Sequence, residues 1–488
     1  MKNLNDWLAI LPEGIVVVAI VLMLLLDLFL PKKVDRKVIG YLGIAGLLLA
    51  IVATLSQLQD PLVALLHNTI YIDGVARAFK LILLLGGLLT LLLALGYQAK
   101  DALQTYRSEF YYVFLIAVLG AMVLASSYDL ITIFIGLELL SLSSLILIGI
   151  RKFNIKANEA ALKYIVNGGI AAAITLFGLS YLYGITGSTN IAVITERLTD
   201  TSAEGFQFIA IISMLLILVG VSFKIAAVPF QMWAPDVYQA SYTPVTAFLS
   251  VVSKAAGFIL LIRVFYSVFA DIFVISQTII AVLASVTLLV GSLLALRQVN
   301  LKRMMAYSGI AHSGYLLLAF AAPSGDYSFK VFWFYLISYL LTSVGFFAII
   351  QLIENEADDT EYHDFAGLYQ RSPFVAISAT IYLLSLAGIP GTAGFIAKLN
   401  IFMLLLGNEH ELVVFALILL LGTVISYVYY FRIIVQIFFR RPRGEEILPE
   451  KSRVVWFVLG ICAVAVLVLG VLPNLGLELF QHIIEVTR

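Results

Sequence analysis

Charge is what this chain has least of. Lys, Arg, Asp and Glu make up 12% of its 488 residues, against 62% for hydrophobic residues. A soluble globule carries about a quarter of its residues as charges, so a soluble fold is excluded and the chain is an integral membrane protein. The charges present cancel, 30 basic against 30 acidic. No basic or acidic tail points to nucleic acid or to a peripheral electrostatic partner. Sulfur ligands are nearly absent: one cysteine, Cys462, cannot form a disulfide or a thiolate metal site within the chain. Five histidines without HxxxH or HExxH spacing argue against bound metal, and CxxC, GxGxxG and GxxxxGKS/T motifs are missing. No cofactor is expected in this chain; redox chemistry in any assembly belongs elsewhere.

What is abundant is long apolar runs. A hydrocarbon core about 30 Å thick takes about 20 helical residues to cross. On that ruler the sequence predicts about fourteen spanning helices, at 10–30, 38–57, 74–96, 109–127, 128–150, 159–184, 205–239, 243–268, 272–296, 303–322, 329–353, 373–406, 411–439 and 454–473. Asp6 and Glu13 near the start of the first run, with no small-residue cleavage site, make it a retained helix. Residues 1–488 read as one polytopic domain of an all-α membrane protein.

Orientation follows from Lys and Arg in the loops. Basic residues gather in alternate loops: Lys32, Lys33, Arg36 and Lys37; Lys100 and Arg107; Arg151, Lys152 and Lys156; Arg297, Lys302 and Arg303; Arg440, Arg441, Arg443, Lys451 and Arg453. These loops are expected in the cytoplasm. The others hold chiefly Lys2, Arg197, Lys330 and Arg488, which puts both termini on the outer side. Arg77 near an outer helix end and the acidic stretch from Glu354 to Asp364 fit the rule poorly, but acidic residues weigh little in it.

Against this background five ionisable residues lie within apolar runs: Glu138, Lys163, Lys224, Lys254 and Lys398. A charge at the bilayer centre costs about 2.5–3.5 kcal/mol on insertion scales, which makes each a candidate functional residue. Their natural use is moving charge across the membrane. A lysine desolvated in a bilayer binds its proton less tightly, and a neighbouring carboxylate restores the charged form. Two runs also carry helix breakers at mid-course. GVSFKIAAVPFQMW places Lys224 five residues before Pro229, and LAGIPGTAGFIAK places Lys398 after Gly388, Pro390, Gly391 and Gly394. Proline removes a donor and clashes with the preceding turn, so both helices are expected to be interrupted. A pair of such breaks, one in each half of a chain, is the mark of inverted-repeat transporters. The repeats are placed at 109–268 and 272–439, five helices each with one broken.

The stretches SFKIAAVPFQMWAPDVYQASYTPVTAFLSVVSKAAGF, EAALKYIVNGG, GSLLALRQVNLKRMMAYSGIAHSGY and LAGIPGTAGFIAK strongly resemble subunit N (NuoN type) of proton-pumping NADH:quinone oxidoreductase, respiratory complex I. The likeness runs over nearly the whole chain. The VPFQ-W-PD motif followed by TPV is shared with Mrp-type sodium/proton antiporters; PDVYQ, SVVSKAAGF and the early Leu11–Glu13 favour subunit N. The resemblance implies a proton relay in which Glu138 modulates Lys224, with Lys163, Lys254 and Lys398 at the family's lysine positions and His312 bridging the halves. It implies NADH, FMN, iron–sulfur clusters and quinone in partner subunits, and as partners the antiporter-like subunit M, the small membrane subunits K, J and A, and membrane lipid. The implied location is the bacterial inner (plasma) membrane. Where relatives read PDVY(E/Q)GAPTPV, this chain has Ala240, Ser241 and Tyr242 before Thr243, which puts the shape of that turn in question.

Each assignment has a plainer rival. Lys163, Lys224, Lys254 and Lys398 are open to snorkelling toward an interface. Glu138 is open to being only a structural partner, His312 a helix contact, and Pro229 and Pro390 simple kinks. Arg432 reads as snorkelling, Asp129 as a helix cap, and Tyr427, Tyr429, Tyr430 and Phe431 as packing. At the level of the whole chain the rivals are an Mrp-like sodium/proton antiporter subunit and a membrane scaffold that only transmits conformational change.

Overall fold

Several helices begin where a short polar side chain accepts the first free backbone N–H groups. Asp73 accepts from Ala76, Asp129 from Ile131 and Thr132, Asn154 from Ala157 and Asn300 from Arg303. The computed structural model describes residues 7–31, 34–97, 106–201, 207–269, 273–322, 326–354, 360–407, 412–441 and 452–485. Lys2, Lys32, Lys33, Lys100, Arg443, Lys451 and Arg488, used above for orientation, and residues 355–359 of the acidic loop lie outside the described residues.

The main helices are α1 Leu11–Phe29, α2 Lys37–Ser56, α3 Gly74–Gly96, α4 Arg107–Ser126, α5 Leu130–Ile148, α6 Ile155–Thr186, α7 Gln207–Ile225, α8 Trp233–Ala240, α9 Thr243–Tyr266, α10 Phe273–Ala295, α11 Leu301–Phe320, α12 Asp326–Ile353, α13 Pro373–Ala387, α14 Ala393–Gly407, α15 Val413–Phe439 and α16 Arg453–Val471. Among the described residues, twelve of the helices are long and apolar enough to cross a membrane. The expected run 205–239 is α7 and α8 with a break between them, and 373–406 is α13 and α14, each 15 residues long. Two short helices, Ile191–Thr201 and Asn474–Glu485, lie outside the expected runs. One departure from an all-α chain is a hairpin ahead of α3, where β1 (Val63–Leu65) pairs antiparallel with β2 (Ile70–Ile72). Leu65 and Ile72 are buried there with Ala9 in a small cluster of their own, which gives the two short strands an apolar face to cover.

Burial runs opposite to that of a soluble bundle. α9 is buried along its whole length and α12 nearly so. The long sides of α1, α6 and α15 expose Val18, Leu162, Ile170, Leu417 and Val424 at 56–63%. In water so large an apolar face is untenable, whereas against lipid tails or another membrane subunit it costs nothing. α3 holds the centre. Gly86 sits where an added Cβ meets Val252 of α9 at 2.8 Å and Leu340 of α12 at 3.2 Å. Trp333 Nε1 donates to Ala78 O at 3.2 Å and Gln351 Nε2 to Leu93 O at 2.9 Å. Cys462 in α16 has no exposed surface.

Two sets of contacts repeat in the two halves. Leu130 N donates to Thr189 O and Ile191 N to Tyr128 O; Leu301 N donates to Thr360 O and Tyr362 N to Val299 O, every residue shifted by the same interval. Helix pairs α4/α5 and α10/α11 both cross at backbone contact through glycines: a Cβ on Gly120 would meet Leu140 N at 2.7 Å, and one on Gly314 would meet Leu288 N at 2.6 Å.

Candidate functional site: lysines at two helix breaks

A helix stopped inside a membrane leaves backbone groups that must find partners. At the end of α7 the chain turns through Ala226 (φ 56°) and a cis Val228–Pro229 bond before α8. Ile225 O accepts from Ser313 Oγ at 2.6 Å, Phe223 O from Trp233 Nε1 at 3.0 Å, and Val228 N donates to Thr287 Oγ1 at 3.1 Å. The second break lies between α13 and α14, with Gly388 (φ 86°) and Gly391 (φ 89°) in the left-handed region that suits glycine. Here Leu386 O and Ala387 O accept from Lys398 Nζ at 2.8 and 3.0 Å. The lysine thus caps the negative end of α13.

Lys224, 2% exposed, lies in the last turn of α7 and donates to Ser141 Oγ of α5 at 2.9 Å. Glu138, one turn earlier on α5, interacts electrostatically with the same ammonium. Lys254, 3% exposed, follows a π-turn at Leu249–Ser253 and donates to Gly309 O at 2.5 Å, with the Tyr339 ring 5.5 Å away. π-turns inside helices often mark functional positions. Ser313 Oγ lies 3.1 Å from that same Gly309 O, which ties the Lys254 contact to the first break. His312, on α11, is hydrogen-bonded through Nδ1 to Tyr335 OH at 2.7 Å and through Nε2 to Tyr430 OH at 3.3 Å, and Tyr430 OH pairs with Ser308 Oγ at 2.5 Å. A small cavity lined by His312, Tyr335, Ser338, Tyr339, Thr342 and Lys398 leaves about 10 Å³ for the centre of a water, room for about one molecule. Lys398 in turn lies 4.7 Å from the Tyr315 ring. Lys224, Lys254, His312 and Lys398 are thus buried and neighbour one another through Ser313, Gly309 and Tyr339, with the half-buried Glu138 beside Lys224.

Lys163 does not join that course. Its side chain is 41% exposed and bonded to Glu159 at 2.7 Å and Asp236 at 2.6 Å. Asp236 also takes Arg303 Nη1 at 2.5 Å, so Glu159, Lys163, Asp236 and Arg303 form a chain of alternating sign, and a cavity of about 120 Å³ beside it is lined by Lys156, Glu159, Lys163, Asp236 and Gln239. Asp236 thus accepts from both Lys163 and Arg303.

Several neighbours escape a scan for charges deep in apolar runs. Arg263 and Lys80 are buried charges within the spanning helices: Arg263 grips Asp73 with Nη1 and Nη2 at 2.6 and 2.7 Å and donates to Ala125 O, and Lys80 contacts Glu13 at 2.6 Å. Tyr430 belongs to the His312 network, not merely to packing. Arg432 stacks its guanidinium 3.8 Å over the Tyr362 ring instead of reaching out alone. Arg77 turns to Asp60 O and Pro61 O, and Lys302 and Glu354 form a buried ion pair. The turn lacking Gly and Pro keeps an ordinary backbone. Ser241 is extended at φ −77° and Tyr242 has φ −57°, near the value proline fixes. Its ring packs on Tyr97 and under Arg151.

Fold and site together define an antiporter-like polytopic membrane subunit, with lysines seated at helix breaks. The family model described as NADH:quinone oxidoreductase/Mrp antiporter, transmembrane, matches residues 127–426. NADH-quinone oxidoreductase subunit N of a Geobacillus strain is 48% identical over 97% of this chain and 98% of its own length, and that of Bacillus anthracis 47% over 98% and 95%. Among solved structures, respiratory complex I from Thermus thermophilus holds a chain 32% identical with TM-score 0.80, covering 96% of this chain and 98% of that one. The Mrp complex from Dietzia shares the fold at TM-score 0.84 and 22% identity, over 99% of this chain and 97% of that one. The chain belongs to the subunit N family of NADH-quinone oxidoreductase, the membrane-embedded kind of complex I subunit. Among the described residues no group of three or more His, Cys, Asp and Glu is placed to hold a metal ion.

Proposed function

We propose that this chain translocates protons within complex I, driven by quinone reduction in partner subunits. The observation that carries the reading is the buried course itself: three lysines at most 5% exposed, each donating to a hydroxyl or a carbonyl, with a single carboxylate, Glu138, acting on Lys224. An unbalanced buried charge is costly to keep for a purely structural purpose. A charge held by neutral oxygens is one that can be withdrawn by releasing a proton. Approach of Glu138 loads Lys224; withdrawal of the carboxylate passes the proton along Lys254 and His312 toward Lys398. Lys163, Asp236 and Arg303 stand apart from the course as a partly exposed ion-pair cluster. Moving one charge against the potential costs about 2.3 kcal/mol per 100 mV, and this chain supplies no redox reaction to meet it. NADH, FMN, iron–sulfur clusters and quinone belong to the partners, and the adjoining subunits are M, K, J and A.

The two contact sets repeated at a fixed interval support inverted repeats at 109–268 and 272–439, within a fourteen-helix plan. The basic loops support both termini on the outer side of a bacterial plasma membrane. An Mrp-like antiporter remains the second reading, and the likeness to the Mrp chain extends to the fold alone. The test is NADH-driven proton pumping by membranes holding the assembled complex. Lys224→Ala and Glu138→Gln are expected to assemble, yet to lose pumping and quinone reduction together by at least tenfold, the scale of a buried charge contact of about 1.4 kcal/mol or more. Normal pumping in both would make these charges structural.

A further inference from the structure

Away from the course just described, Lys80 lies in α3 with 1% of its side chain exposed, and its Nζ contacts Glu13 Oε1 at 2.6 Å. Glu13 stands in the first turn of α1, 13% exposed, and also accepts from Ser126 Oγ at 3.1 Å. Neither group is filled. Among the described residues Lys80 Nζ has no hydrogen-bond partner beyond this ion contact, and Glu13 Oε2 has none. An ammonium offers three donors and a carboxylate about four acceptor positions, so a pair that uses so few of them is a poor lock between helices. Apolar side chains of similar size often hold such a contact as well or better.

The pair's position gives it another use. The six residues from Lys80 to Gly86 span about 9 Å of helix, and Gly86 packs on Val252, two residues before Lys254. Beside that contact Ser253 Oγ is buried and without a hydrogen-bond partner among the described residues. Lys80 thus stands on α3 between the contact with Val252 and the face at which α1 and α3 begin, with Glu13 in the first turn of α1.

We infer that Glu13 and Lys80 form a terminal proton-transfer pair on this face, a reading that rests on the proton translocation proposed above. The ammonium passes its proton to the Glu13 carboxylate across the ion contact, leaving a neutral amine and a neutral acid. Glu13 then gives the proton to water at the surface. The pair is left with one net negative charge until a proton from the Lys254 side restores the ammonium.

The test uses the whole complex in sealed vesicles, with protons moved per NADH oxidised as the readout and assembly measured beside it. Glu13→Gln and Lys80→Met are expected to assemble and to move protons severalfold less efficiently, and Glu13→Asp to recover much of the loss. The double variant Glu13→Leu with Lys80→Met decides between relay and lock. A relay predicts that it pumps as poorly as the single variants, whereas a lock predicts pumping restored by apolar packing. Restored pumping, or failure of the double variant to assemble, overturns the inference. Lys224→Ala, run alongside, separates the two readings: if it alone abolishes pumping, only the Glu13–Lys80 inference fails; if it pumps normally, proton translocation by this chain fails first.

Discussion

Lys224, Lys254 and Lys398 each lie against a glycine of another segment. A Cβ on Gly257 would stand 3.1 Å from the stem of Lys224 and 2.7 Å from Ile225; one on Gly309 would stand 3.0 Å from Lys254 Nζ, and one on Gly388 2.9 Å from Lys398 Cδ. Gly257→Ala is therefore expected to push α9 off α7 at a cost of about 1–3 kcal/mol, as overpacked interiors do. The complex should assemble with a lowered thermal midpoint and reduced pumping; an unchanged midpoint and unchanged pumping would show that Lys224 has room to spare. The lysines and Glu138 were legible in sequence because charge inside an apolar run is conspicuous. Their partners were not: Gly309 O, Leu386 O and Ala387 O are backbone atoms, which every residue carries alike. Lys163 reads from sequence as a sibling of the other lysines, because hydropathy does not reveal Asp236 folding back to pair with it.

Among the elements, the two broken helices follow from Pro229, Gly388, Pro390 and Gly391, residues whose chemistry interrupts a helix wherever they stand. Which side chains would satisfy the interrupted backbone could not be read, because Ser313 and Thr287 come from helices far along the chain. Ser313→Ala leaves Ile225 O without that donor, and a buried acceptor left bare costs about 1–3 kcal/mol. The expected outcome is a lower thermal midpoint and faster amide hydrogen exchange at the end of α7, with exchange in α13 unchanged. The β1–β2 hairpin was missed because six short apolar residues beside a membrane span carry no period long enough to declare themselves.

At the scale of the molecule, Asp73 and Arg263 join the start of α3 to the end of α9, and Ala125 O brings in the end of α4. Burial would raise the Asp73 carboxyl, but the Arg263 charge and its hydrogen bonds outweigh that and hold it below its usual value. A folded value below the unfolded one stabilises fully above the unfolded carboxyl range, about pH 4, and is lost as pH falls through the lower folded value. Asp73→Asn, which leaves a buried guanidinium unpaired, is expected to lower stability by about 3–5 kcal/mol at neutral pH. Thermal midpoints taken across pH should keep that gap constant above about pH 5 and narrow it below about pH 4. A gap that ignores acid would mean the carboxylate charge is not what holds these helices.

Cys462 is the only thiol in the sequence and is sealed inside α16. A membrane-impermeant maleimide should therefore find nothing to alkylate on the intact native subunit. Single cysteines introduced on either flank of a helix break could then carry spin or fluorescent labels without any background substitution, and report whether the two half-helices change distance during turnover.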